Sequence, residues 1–193
     1  MISQKLKNME NITKIKWENW NKDATENLTL RETNEGIFVA STIESFGEKK
    51  FIARYEIICD VAWRVKKFKI ELVDTQQILE LTANGLGVWS DASGIVRALE
   101  GAIDVDINVT PFTNTLPIRR LKLKENQSKE IVVVYVSIPE FIISTERQQY
   151  TCIIPGKLYR FESLDRNFIR EIVVDDKGLV LEYPGLFKKW RSW

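Results

Sequence analysis

A chain of 193 residues is long enough for one ordinary domain with its own core, and 28 Lys and Arg against 27 Asp and Glu leave a net charge of only +1. That balance gives no long-range field to hold a polyanion, so nucleic acid is not an expected partner, and charge alone would not draw the chain to a membrane. Histidine is absent, which excludes Ser/His/Asp and Cys/His nucleophilic catalysis and removes the usual nitrogen ligand of zinc and copper.

The opening MISQKLKNMENITKIKW is too polar to contain the apolar region of a secretory signal, and the longest apolar run is the six residues IVVVYV, far short of a membrane-spanning helix. A cytoplasmic protein without an integral membrane segment is the resulting expectation. Alternation with period two then takes over. TKIKW, NLTLRE, GIFVAST and FIARYEI read as successive strands, separated by turn signals at TNEG and SFGEKK. KFKIELVD places Phe68, Ile70 and Leu72 on one face and Lys67, Lys69 and Glu71 on the other, the pattern of a half-buried strand. QILELTA, RLKLKE, QYTCII, KLYRFES, FIREIVV and GLVLEY continue it, while IVVVYVSI is apolar at almost every position and needs cover on both faces. Cys59 and Cys152 fall inside apolar strands without metal spacing and are expected to be reduced core residues. No stretch carries a helical period over three turns.

About a dozen twisted strands cannot stay flat. The expected fold is therefore mainly β: residues 1–193 as a single domain, built on one large curved antiparallel sheet that forms a half-barrel or barrel, with few or no helices.

The densest polar segment is DVDINVTPFTNTLPIRRL, residues 104–121. Asp104, Asp106 and Asn108 share one face of a strand at intervals of about 6.8 Å. D-x-D-x-N also opens a calcium loop, but Val109 stands where that loop needs Gly and Thr115 where it needs Glu, so no metal is expected. Two acids at this spacing also suit inverting glycoside hydrolysis. Alternatively, Pro111 and Pro117 shape a turn that brings Arg119 and Arg120 back over the aspartates as bidentate ion pairs. Brace and binding site both remain open on these residues.

EGAIDVDINVTPFTNTLPIRRL, with NGLGVW upstream and QQYTCI and DDKGLVLEYPGLFKK downstream, resembles the bacterial family named "Putative glycolipid-binding". The resemblance runs in order from about Tyr55 to Lys189. It implies a curved antiparallel sheet similar to that of periplasmic lipoprotein carriers, with an acyl chain in the hollow and a sugar at its mouth. Phe68, Ile70, Leu72, Val105 and Ile107 would line such a trough. Trp63 and Trp89 are candidate platforms for a sugar, Asp104, Asp106 and Asn114 candidate hydrogen-bonding partners, and Arg119 and Arg120 candidates for a phosphate or carboxylate on the headgroup. Tyr183 is expected to anchor a turn.

The leading expectation is non-catalytic binding of a lipid or glycolipid, with no cofactor and no catalytic residue. A carbohydrate-acting hydrolase using Asp104 and Asp106, or a structural or protein-interaction module, are the alternatives. The tail LFKKWRSW has the composition of a membrane interface but is too short to anchor, and a frayed or partly docked end is expected.

Overall fold

In the computed structural model, which describes residues 10–190, fifteen strands join into one open, curved sheet. A first meander contains β1 (Asn11–Asn19), β2 (Ala24–Glu32), β3 (Ile37–Ser45), β4 (Phe51–Cys59), β5 (Val65–Leu72), β6 (Gln77–Ala83) and the short β7 (Trp89–Asp91) and β8 (Gly94–Ile95). A crossover follows, carrying β9 (Asp104–Ile107), a 3-10 turn at Phe112–Asn114 and the helix α1 (Thr115–Leu121). The second meander runs through β10 (Ser128–Ser137), β11 (Ile142–Ile154), β12 (Leu158–Ser163), β13 (Phe168–Val174), β14 (Val180–Tyr183) and β15 (Phe187–Lys189).

Across the sheet the order is β8-β7-β6-β5-β4-β3-β2-β1-β15-β14-β13-β12-β11-β10-β9. Two meanders are thus joined at a central seam, where β1 lies antiparallel to β15. β8 and β9 stand at the two ends of the order, so the sheet is an unclosed half-barrel. The antiparallel expectation holds except at the last pair, because β9 enters from the crossover and runs parallel to β10.

Period-two patterning makes the two interiors. Phe51, Ala53, Tyr55, Ile57 and Cys59 of β4 are all buried, and the residues between them are not. With Trp17, Phe68 and Ile70 they form a large core that also takes Phe112 and Leu116 of the crossover. A second core gathers Tyr150, Cys152, Tyr159, Phe161, Ile172 and Val174 from the other meander, with Ile118 of α1. Each such side chain contributes about 1.5–3 kcal/mol by leaving water. β10 lies between them: Val134 and Val136 pair with Val105 and Ile107 in the large core, whereas Val133 and Tyr135 align with Asp104 and Asp106 on the opposite face. That is why its sequence is apolar at nearly every position.

One local expectation is corrected. RLKLKE is not a strand: Leu121 ends α1, Lys122 takes a left-handed φ of 49°, and a turn follows. Seven helical residues with a proline inside are too few to display a period, and Leu121 and Leu123 alternate because both pack against the second core. The tail is docked as far as Lys189, the second of the two states expected for it, since Phe187–Lys189 is a strand paired on both sides; residues 191–193 lie outside the described residues, as do residues 1–9 of the polar opening. Among the described residues no helix is long and apolar enough to cross a membrane. Both cysteines are free and buried.

Candidate ligand-binding site

The crossover braces the interior with one buried ion pair. Asp104 is fully buried, and Arg120 donates to both its oxygens, Nε at 3.0 Å and Nη2 at 2.6 Å. Burial pushes the Asp104 carboxyl above its ordinary range and Arg120 opposes that rise. Arg119 turns the other way: its Nη1 donates to Lys177 O at 2.8 Å, its Nη2 to Glu32 at 3.0 Å, and its guanidinium sits 4.5 Å from the centre of the buried Trp63 ring. α1 approaches the β13–β14 turn so closely that a Cβ at Gly178, whose φ is +74°, would lie 3.1 Å from Arg119 Cδ, and only glycine fits this turn without strain. Thr115 Oγ1 donates to Gly178 O at 2.9 Å across the same contact. Trp89 is fully buried at the far side of the large core, its Nε1 donating to Ala102 O at 2.7 Å.

Asp106 and Asn114 are placed differently, on the wall of a cavity of about 310 Å³ inside the second meander. One side of it is aromatic. Phe161, Phe168, Tyr183 and Phe187 line it in a chain of edge-on and tilted contacts, with ring centres 6.1 Å apart for Phe161–Phe168, 6.3 Å for Phe161–Tyr183 and 6.4 Å for Tyr183–Phe187. Tyr183, expected to anchor a turn, is a buried member of this wall.

The opposite side is polar. Asp106 accepts from Thr113 Oγ1 at 2.8 Å and from Gln148 Nε2 at 2.7 Å, and Asn114 Oδ1 accepts from Tyr150 Oη at 2.9 Å. Burial raises the Asp106 carboxyl first, its two hydrogen bonds lower it, and the nearby Glu146 charge raises it further. Glu146 and Ser163 reach the same cavity, with Gln148 beside them as the cross-strand neighbour of Ser163. Glu146 Oε2, Gln148 Oε1 and Ser163 Oγ are buried without a hydrogen-bond partner. Arg166 Nε does lie 2.9 Å from Glu146 Oε2, but as an ion-pair contact outside hydrogen-bond alignment. Arg166 Nη1 instead donates to Tyr135 Oη at 2.7 Å at the cavity rim.

A third polar group ties the crossover to the first meander. Glu26 is buried and accepts from Ser41 Oγ at 2.7 Å, Tyr55 Oη at 2.6 Å and, through its other oxygen, Thr110 Oγ1 at 2.7 Å. Burial pushes its carboxyl up to about 7, against the lowering effect of the three hydroxyls.

A family model described as "Putative glycolipid-binding" matches residues 14–189. The chain belongs to this family. The crystal structure of a DUF1089 family protein from Pseudomonas aeruginosa is 32% identical, superposes with a TM-score of 0.73, and is matched over 86% of this chain and 92% of that one. No curated protein matches.

Within this fold, the sequence-derived candidates divide. Asp106 and Asn114 share the cavity, Asp104 pairs with Arg120 beside it, Arg119 covers Trp63, and Trp89 stands alone in the core. The postulated carboxylate pair is not assembled in one cleft, because both Asp104 oxygens are held by Arg120. The trough residues Phe68, Ile70, Leu72, Val105 and Ile107 are between 0% and 2% exposed inside the large core, and of these five Ile107 also lines the cavity. Glu146, Gln148, Ser163 and Arg166 went unnoticed in the sequence. A signal existed for two of them: in ERQQYTC, Glu146 and Gln148 alternate in phase with Tyr150 and Cys152, so two polar side chains point toward an apolar interior.

Proposed function

We propose that the chain binds a glycolipid headgroup-first, seating the sugar in the second-meander cavity without a chemical step. The observation that carries this reading is the pair of buried atoms without hydrogen-bond partners, Glu146 Oε2 and Ser163 Oγ, on the wall of a cavity whose other side is aromatic. A buried polar atom left unpaired costs about 1–3 kcal/mol, which a hydroxylated ligand recovers. Sugar rings present C–H faces to aromatic rings and hydroxyls to carboxylates and amides, and the cavity offers one kind of surface opposite the other. Its volume of about 310 Å³ lies at the small end of ligand sites, which suits a headgroup rather than a whole lipid.

The acyl chain would then leave by the mouth. Leu186 lines the cavity and is 36% exposed, and Trp20, 44% exposed, donates its backbone N–H to Leu186 O at 2.8 Å. Exposed apolar groups there can meet the first methylenes. A single cytoplasmic domain of residues 1–193, without nucleic acid as a partner, belongs to the same reading. Isothermal titration calorimetry with short-chain alkyl glycosides tests it: saturable heat that falls on Ser163→Ala and Phe168→Ala is expected. No heat from any glycoside would sink the proposal.

A further inference from the structure

The polar side of the cavity has a direction. Glu146 Oε2 is a pure acceptor without a hydrogen-bond partner, and each Asp106 oxygen receives one hydrogen bond where a carboxylate oxygen can take two. Among the described residues that line the site the one cation is Arg166, which is 49% exposed and holds Tyr135. Two carboxyl groups therefore face one guanidinium, and Asp106 and Glu146 together offer acceptors to a further positive charge. These are more than a cluster of acids: Ser163 and Glu146 are 5% and 4% exposed, line the cavity, and carry polar atoms without hydrogen-bond partners. What is missing is a donor, and the electrostatics favour a charged one.

We infer that the cavity selects an amino sugar, whose protonated amine is received by Glu146 and Asp106 while Ser163 Oγ takes a ring hydroxyl. This rests on the glycolipid reading and deepens it. The phosphate or carboxylate group of an acidic headgroup would add acceptors and negative charge to a site already rich in both, and the arginines expected to welcome such groups, Arg119 and Arg120, are committed to Glu32 and Asp104.

The test is a matched series: octyl glycosides of glucosamine, glucose and glucuronic acid, titrated into the full chain at neutral pH. The glucosamine compound is expected to bind at least tenfold more tightly than the glucose compound, and the glucuronide not at all. Glu146→Gln, whose thermal melt reports that it folds, should collapse the preference for the amine. Equal affinity for the amine and the neutral sugar, or tightest binding of the glucuronide, overturns the inference while leaving glycoside binding in place. If none of the three binds, the glycolipid reading falls and this inference with it.

Discussion

The two halves of the sheet begin from the same alternating pattern and end with opposite interiors. In the first meander the inward positions carry Trp17, Phe68 and Ile70, and the crossover meets them with Phe112 and Leu116, so the hollow holds a continuous apolar core. In the second, β11 and β12 turn Glu146, Gln148 and Ser163 inward, and the crossover offers Ile118, Asn114 and Asp106. A gap of about 310 Å³ remains. Curvature alone therefore does not make a cavity. The faces that one crossing segment presents to each side decide which hollow is filled and which stays open.

Substitutions can separate the two roles. Phe68→Ala, in the filled half, is expected to cost about 3–5 kcal/mol in denaturant unfolding, with alkyl glycoside affinity unchanged in the folded fraction. A comparable loss of binding would mean that the two interiors are coupled. Asp104→Ala strips Arg120 of its partner at the boundary and should cost about 3–5 kcal/mol; a loss below about 1 kcal/mol would show that Arg120 finds water and that the brace is weak.

Glu26 makes the first half sensitive to pH. Its folded-state value of about 7 lies above the ordinary 4.5, so the folded chain holds a proton that the unfolded chain releases between those values. Stability from this group is complete below pH 4.5 and declines as pH rises to about 7, by about 3 kcal/mol in all. Unfolding curves measured across that window should show the decline, and Glu26→Gln should flatten it. The smallest stability change belongs to the open half. Phe168→Ala removes a half-buried ring and should cost about 1–2 kcal/mol, yet weaken glycoside binding roughly tenfold. The opposite ranking, with Phe168→Ala as costly as Phe68→Ala and harmless to binding, would erase the distinction between the halves.

The strands were legible because each surface position alternates with a core position, as in KFKIELVD, and the both-faced burial of β10 could be read from IVVVYVSI before any partner was known. α1 was not legible: its seven residues are held by contacts from afar, Thr115 to Gly178 and Arg119 to Glu32, which leave no local period. DVDINVTPFTNTLPIRRL announced itself by density, and one of its expected ion pairs forms. The cavity's other wall comes from β11, β12 and the turn between β12 and β13, where Glu146, Ser163 and Arg166 each look like ordinary surface residues until the curl of the sheet points them inward. The aromatic side had a similar fate, since Phe161, Phe168 and Tyr183 meet only across three paired strands.

The seam between β1 and β15 gives this molecule an order of assembly. Most other neighbours in the sheet are consecutive hairpins, whereas Trp17 must find Lys189 and Asn19 must find Phe187, pairings that close nearly the whole chain and form slowly. A ribosome releases the first meander long before β15 exists, and until then one side of β1 is a bare template for any passing strand. Lys14, Lys16 and Glu18 along that edge give it charge against misplaced neighbours. Leu186 and Phe187, which wall the cavity mouth, sit on or beside β15, so this cavity is complete only once the seam has closed.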